Sequence, residues 1–353
     1  MQSAAPTPAP APAAIPPPGQ DRVGGPSLAA RIARAFLYQR ELTPLVLLIG
    51  VFVVFAIDSG SSFTSTLSIA AAAGYAGPIG AIAVSQVLLL VLAEIDLSAG
   101  QVFLLTPWVE YWLHTGGVPV VPAILLALVV AASVGAINGM ITVFLNVPSF
   151  VTTLATNFIL FGVVLVGSND ASASPIPLSG QSGFASSVMG NSNWAEIIWV
   201  LVITIILGLL LTRTRFGVRI IATGGHIVGA AEAGVPIRRV KIWAFVLAST
   251  VAGLVGIVDA VKYGTLDPGQ TGIDYILYAV GACVIGGTAL TGGRGTVYGA
   301  FIGALLLGLL EDGLTVAGIS TNDFYIYVGA VIIFAMALNV QFDRVVARSK
   351  ARR

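Results

Sequence analysis

Apolar residues in this chain run in long continuous blocks joined by short polar stretches. A membrane-spanning β-barrel would instead show alternating segments of about ten residues. A helix crosses a hydrocarbon core of about 30 Å with about 17–25 residues, at about 1.5 Å each. Ten blocks suit that length, at roughly 41–58, 66–93, 96–114, 118–146, 148–167, 194–212, 240–262, 272–290, 296–318 and 323–341. The pattern predicts an all-α integral membrane protein of about ten transmembrane helices. At two reversals, around 93–97 and at 147, there is almost no polar linker.

Composition agrees: a mean hydropathy of +0.94, with 56% hydrophobic and 9% charged residues, excludes a soluble domain with a polar surface. Basic residues then orient the chain, because Lys and Arg near span ends are held on the cytoplasmic side. An even number of spans puts both termini together. With that side cytoplasmic, 16 of the 17 basic residues lie inside and only Lys262 faces out. The inside set comprises Arg22, Arg31, Arg34 and Arg40 near the start, Arg294 between spans eight and nine, and Arg344, Arg348, Lys350, Arg352 and Arg353 at the end. Its densest group is Arg213, Arg215, Arg219, Arg238, Arg239 and Lys241, which follows a stretch, 41–212, without a single Lys or Arg. Asp58, Asp170, Glu196, Asp267, Asp274 and Asp323 give the other face an acidic bias.

Three parts are expected: a Pro/Ala-rich cytoplasmic tail with a basic lead-in at 1–40, a membrane domain at 41–342 with a cytoplasmic loop at 213–241, and a basic cytoplasmic tail at 343–353. Residues 1–28 have too few bulky apolar side chains to offset ordering entropy and are read as disordered. They also lack the apolar core of a secretory signal, so the chain is expected to keep its start. Cys283, the lone cysteine, falls in a span and reads as a buried structural thiol. Two outer loops stand out, 168–193 and 263–272, the first either a docking surface or a flexible connection.

Catalytic and nucleotide-binding patterns are missing from the sequence. No Gly-Lys dipeptide occurs, and the stretch nearest to a phosphate loop, GGTALTGGRGT at 286–296, lacks the lysine. There is no HExxH and no GxSxG, and His114 and His226 fall on opposite sides of the expected membrane. No nucleic-acid partner, metal or bound cofactor is expected, and any ATP must be handled by another chain.

A charge inside a span costs about 2.5–3.5 kcal/mol at the helix centre, so each needs a reason. Glu94, Asp96 and Ser98 in LAEIDLSAG either line a permeation path or accept backbone N–H bonds, with Asp96 and Ser98 as candidate helix caps; the structural role is preferred. Glu311 and Asp312, with Asp259 and Lys262, form a polar vestibule near the outer ends of spans nine and seven, or else Asp259 and Lys262 make a local ion pair. Gly295, Gly299 and Gly303, four apart, and the pair Gly135 and Gly139 have helix-packing spacing, within one subunit or between two. Asn157 and Asn146 are read as making buried interhelical hydrogen bonds.

LAEIDLSAG at 92–100, NVPSFVTTLATN at 146–157, RTRFGVRIIATGG at 213–225 and ACVIGGTALTGGRGTVYGAFIGALLLGLLEDGL at 282–314 resemble the signature blocks of bacterial sugar permeases. These are the membrane subunits of ATP-binding cassette importers for ribose, xylose, arabinose and related monosaccharides. The resemblance runs from about 41 to 342, and AEIDLS followed by VPSF is more like the xylose-type permeases than the ribose-type GIDLS form. It implies an importer fold of the type II kind, shared with vitamin B12 transporters, in the bacterial inner membrane. It also implies a second permease subunit, two cytoplasmic ATPases that use the ATP, and a periplasmic sugar-binding protein.

The basic segment becomes the coupling loop that seats in an ATPase cleft, with Gly224, Gly225, His226, Glu232, Gly234, Arg238 and Arg239 as its candidate residues. Relatives usually carry Asn-Glu-Ala-Ala after the paired glycines, where this chain has His226, Ile227, Val228 and Gly229. They also commonly carry neutral amides at Glu311 and Asp312. ATP-driven alternating access is the mechanism implied, with substrate selection resting largely on the binding protein. An ion-coupled carrier using Glu94, Asp96, Glu311 and Asp312, or a passive channel, is the competing class.

Overall fold

Among the described residues, twelve stretches of α-helix lie between Leu42 and Val316, and a thirteenth covers Tyr325–Ala337. They are α1 (Leu42–Asp58), α2 (Gly60–Phe63), α3 (Thr66–Val91), α4 (Ala99–Thr115), α5 (Val120–Phe144), α6 (Ser149–Ser168), α7 (Ala195–Arg213), α8 (Arg215–Gly225), α9 (Ile227–Glu232), α10 (Ile237–Tyr263), α11 (Ile273–Ile285), α12 (Val297–Val316) and α13 (Tyr325–Ala337). The computed structural model describes residues 41–174, 194–320, 323, 325–337 and 341, all within one unit, Gln39–Arg353. The expected tails at 1–40 and 343–353 and most of the outer loop 168–193 lie outside the described residues.

Each of the ten apolar blocks coincides with a helix. Six of these, α3, α5, α6, α7, α10 and α12, are long and apolar enough to cross a membrane, while α1, α11 and α13 are shorter apolar helices. The block at 272–290 was expected to be one span, but α11 stops at Ile285. Gly286 and Gly287 follow, and Gly287 has a φ of +83°, where a side chain would be strained. Elsewhere polar residues start the helices: Ser65 accepts from Ser68 N at 3.2 Å, Thr214 from Gly217 N at 3.1 Å and Thr296 from Gly299 N at 3.3 Å. The basic segment contains the two short helices α8 and α9, of which α9 falls in the 226–236 stretch where short helices are expected and α8 lies outside it.

Helix α3 is the centre of the bundle. It packs against α12, α11, α10 and α7, and 94% of its most apolar window is buried. Ala70, Ala72, Ala73, Gly74, Ala76, Gly77 and Gly80 give its first half a narrow profile that admits several neighbours at once. Helix α10 links this centre to a second layer of α4 and α5, with α6 outside them. Of the expected glycine series, Gly299 and Gly303 lie on α12 and pack within the chain, where a Cβ would meet Gly286 O at 2.1 Å and Ala282 O at 2.2 Å, whereas Gly295 precedes the helix and lies against Val91 and Thr288. Gly135 and Gly139 likewise lie against Phe245 and Ile242 of α10. The outer faces of α5, α6 and α7 expose large apolar side chains, among them Val121, Leu125, Phe158, Ile159, Ile198 and Ile206. Such surface is unfavourable in water at about 25 cal/mol per Å² and carries no such penalty against lipid tails.

Gly303→Val is expected to force α11 and α12 apart and destabilise the protein by about 1–3 kcal/mol or more. Gly162→Ala, where no atom lies within 4 Å, should leave the detergent melting temperature unchanged or slightly raised. Equal melting temperatures for both variants would contradict the close helix contact.

Candidate functional site

The turn between α3 and α4, Leu92–Ser98, is irregular backbone enclosed by protein. Such a segment is tolerated in an apolar setting when other groups satisfy its N–H and C=O groups. Side chains from the start of α6 do so here. Ser149 Oγ accepts from Ile95 N at 3.1 Å, and Thr153 Oγ1 accepts from Leu97 N at 2.9 Å and donates to Ile95 O at 3.3 Å. Asp96 and Ser98 are both 0% exposed. Asp96 accepts from Ser98 N at 2.9 Å, from Ser98 Oγ at 2.6 Å and from Ser249 Oγ of α10 at 3.4 Å. Ser98 Oγ in turn accepts from Asn138 Nδ2 of α5 at 2.8 Å, and Asn138 Oδ1 accepts from Thr156 Oγ1 of α6 at 2.6 Å. The Ser98 hydroxyl makes no cap bond to α4, contrary to its reading as a cap, because it is committed to Asp96.

Glu94 leaves this network and forms an ion pair with Lys241, near the start of α10. Several chain reversals meet at the same end of the bundle. Gly293 N donates to Val91 O at 2.8 Å, and Glu41 at the start of α1 accepts from Thr296 Oγ1 at 2.5 Å. A Cβ at Gly224 would lie 1.6 Å from Val91 O, so the end of α8 seats directly on the end of α3.

Between these contacts the basic segment is exposed. His226, Glu232, Gly234, Arg238 and Arg239 are all on the surface, as are Ile227 and Val228, at 49% and 59% exposure. His226 Nδ1 accepts from Gly229 N at 2.8 Å and so caps α9. Gly229 makes room for the imidazole, since a Cβ there would be 2.9 Å from Nδ1. The imidazole cap of His226 and the missing side chain at Gly229 thus fit together: a bulky capping group requires a small neighbour. Gly234, with a φ of +76°, turns the chain from α9 towards α10, and Arg238 stands over the Phe144 ring at 5.6 Å.

The opposite end holds a second buried polar cluster. Lys262 pairs with Glu196 of α7 rather than with Asp259 on its own helix, which corrects the local pair expected from spacing. Gly74 and Gly77 of α3 leave space for the Lys262 and Glu196 side chains. Asp259 stands beside Glu196, and neither Asp259 Oδ1 nor Glu196 Oε1 has a hydrogen-bond partner among the described residues. Asp312 bonds to Ser68 of α3, while Glu311 is half-buried. The four expected vestibule residues are therefore divided between two groups, with Tyr275 near enough to Asp259, Glu196 and Glu311 to feel their charges. A cavity of about 30 Å³ lies against Asp259, Phe103, Trp108 and Gln270. That is room for about one water molecule, far below the roughly 300 Å³ at which small-molecule pockets begin. Beside it, the loops at 171–174 and 264–272 are pinned by Ala173 N to Leu266 O at 3.0 Å and Leu266 N to Ala173 O at 2.7 Å.

Two expected amide roles differ. Asn146 is an exposed turn residue with a φ of +53°, and Asn157 is buried with its Oδ1 unpartnered among the described residues. Asn138 makes the interhelical bonds instead. The α6 face that supplies its partner Thr156 had a legible signal: Ser149, Thr152, Thr153, Thr156 and Asn157 fall on one side of an otherwise apolar helix. Gln86, fully buried on α3, likewise has both amide atoms unpartnered among the described residues. The Cys283 thiol is buried and donates to Ala83 O at 3.1 Å.

Comparison with known proteins assigns the class. A family model described as "Branched-chain amino acid transport system / permease component" matches residues 68–336. The chain is 33% identical over 320 residues to the xylose/arabinose import permease protein XylH of Sulfolobus acidocaldarius, which covers 89% of this chain and 87% of that protein. It is 32% identical over 260 residues to the D-allose transport system permease protein AlsC of Escherichia coli K12, covering 73% and 78%. It is 31% identical over 267 residues to the ribose import permease protein RbsC of the same organism, covering 73% and 80%. No solved structure matches. The chain belongs to this permease family, as a multi-pass membrane component of ABC importers and not an enzyme.

Gly229→Ala is expected to push His226 off its cap and weaken α9 by about 1 kcal/mol, read as faster amide exchange over 227–232. Adding His226→Asn should restore protection, and an unchanged rate in Gly229→Ala would remove the steric link. Lys262→Ala, which strands two buried carboxylates, should cost about 3–5 kcal/mol and sharply lower the yield of monodisperse protein. Glu196→Gln with Lys262→Met should recover most of that yield; equal losses would show that the charge is not what matters.

Proposed function

We propose that this chain is the translocation subunit of an ATP-driven, binding-protein-dependent importer of a monosaccharide, with a pentose such as xylose favoured. Pentose is favoured by the relative XylH, whose similarity extends over 89% of the chain. The observation that carries the transport mechanism is the exposed basic segment at one end of the bundle, whose short helix α9 presents Ile227 and Val228 to a partner. An exposed apolar pair on a segment that also exposes Arg238 and Arg239 suits docking into a cleft of a cytoplasmic ATPase. Both termini are then cytoplasmic, in agreement with the distribution of Lys and Arg.

Two copies of the permease stand side by side over two ATPases, and a sugar-binding protein docks at the opposite end, near the pinned loops at 171–174 and 264–272. This chain binds no nucleotide or metal; its partners use the ATP. ATPase closure and the loaded binding protein stabilise different orientations of the helices, and that difference moves the equilibrium between inward and outward states.

Vesicles holding the permease with its neighbouring ATPase and binding protein are expected to take up D-xylose only with ATP. Uptake that survives removal of the ATPase and collapses with the ion gradient would favour an ion-coupled carrier instead. Arg238→Glu with Arg239→Glu should reduce capture of the ATPase at least about tenfold, for two rim charges on a docking surface, without altering membrane insertion. Normal capture would place docking elsewhere.

A further inference from the structure

The exposed basic segment is anchored at one point to the last residue of α3 and at another to the short turn that follows it. Before it, Gly224 at the end of α8 lies against Val91 O, the last carbonyl of α3. After it, Lys241 near the start of α10 holds Glu94. The turn, 92–98, then enters the buried hydrogen-bond network through Asp96 and Ser98 and reaches Asn138 on α5, Thr156 on α6 and Ser249 on α10.

From this geometry we infer that Glu94 and Lys241 are positioning residues that transmit displacement of the basic segment to the buried turn, and through it to α5 and α6. The inference rests on the proposed docking of an ATPase on that segment and adds the route by which docking acts on the membrane helices. Neither residue touches a transported solute in this role.

Three features fit a transmitting link better than a static brace. The Glu94–Lys241 pair is partly exposed, with side chains 10% and 17% accessible, so it lies at the boundary between solvent and the enclosed network. An ion pair there can break and reform without stranding a charge in an apolar interior. Ala93 has a φ of +59° just before Glu94, a hinge-like left-handed residue in the turn itself. Finally, the backbone of 95–97 is held by α6 side chains rather than by a ladder, so a shift of the turn exchanges a few discrete hydrogen bonds.

Amide hydrogen exchange of the permease in complex with its ATPase, with and without ATP, tests the route. In the wild type ATP should change exchange at 227–232 and at 95–98 alike, the latter within the roughly 5–150-fold range typical of coupling between sites. Glu94→Gln and Lys241→Met should keep the change at 227–232 and lose it at 95–98, while the swap Glu94→Lys with Lys241→Glu should restore it. The double variant Glu94→Gln with Lys241→Met leaves no lone charge and gives the same reading should a single variant fail to fold. A wild-type change at 227–232 that never reaches 95–98, or variants whose turn still responds in full, would overturn the route while leaving the docking proposal intact. No ATP response at 227–232 in the wild type would overturn both.

Discussion

Every part of this bundle answers one constraint: where the chain bends within apolar surroundings, its backbone polar groups must find partners inside the protein. Helices meet that demand by themselves, and the turns do not. The reversal after α3 is held by the hydroxyls of Ser149 and Thr153, and the one after α11 by the contact of Gly293 with Val91 O. Both reversals end against the same terminus of α3. The central helix is thus where the bundle's irregular backbone is gathered and satisfied.

Charge follows a related rule. Each lysine of α10 finds an acid on a different element, Lys241 with Glu94 in the turn after α3 and Lys262 with Glu196 on α7. A helix of 27 residues is thereby tied at both ends to the centre of the bundle, in addition to its packing along α3, α4 and α5. The Lys262–Glu196 pair contributes little net stability because desolvation offsets most of the attraction, and the partly exposed Lys241–Glu94 pair contributes little because solvent screens it. Their effect is to fix where the ends of α10 lie, which suits an element that adjoins the basic segment at one end and the outer polar cluster at the other.

Small residues decide how closely those elements approach. Gly299 and Gly303 bring α12 onto α11, and Gly74 and Gly77 open a recess in α3 for the Lys262–Glu196 pair. The same residue type therefore serves both tight packing and the accommodation of charge. At Gly229 it does something else again, clearing the space in which His226 caps α9.

The sequence by itself determined the membrane class, the order and approximate limits of the apolar helices, and the exposed basic segment, because each depends on hydrophobic run length or charge count along the chain. It also marked the turn at Glu94 and Asp96, since carboxylates in an apolar block are conspicuous wherever they fold. The tertiary structure alone decided which groups meet. Lys262 lies three residues from Asp259 yet pairs with Glu196, a residue notable in the sequence only as one acid among several, and Asn138 rather than Asn157 bridges the helices. The reason is physical: burial makes a charge or amide seek a partner, but the partner within reach is set by how α3, α7 and α10 cross. That crossing depends on side chains far apart in the chain, which no local spacing records.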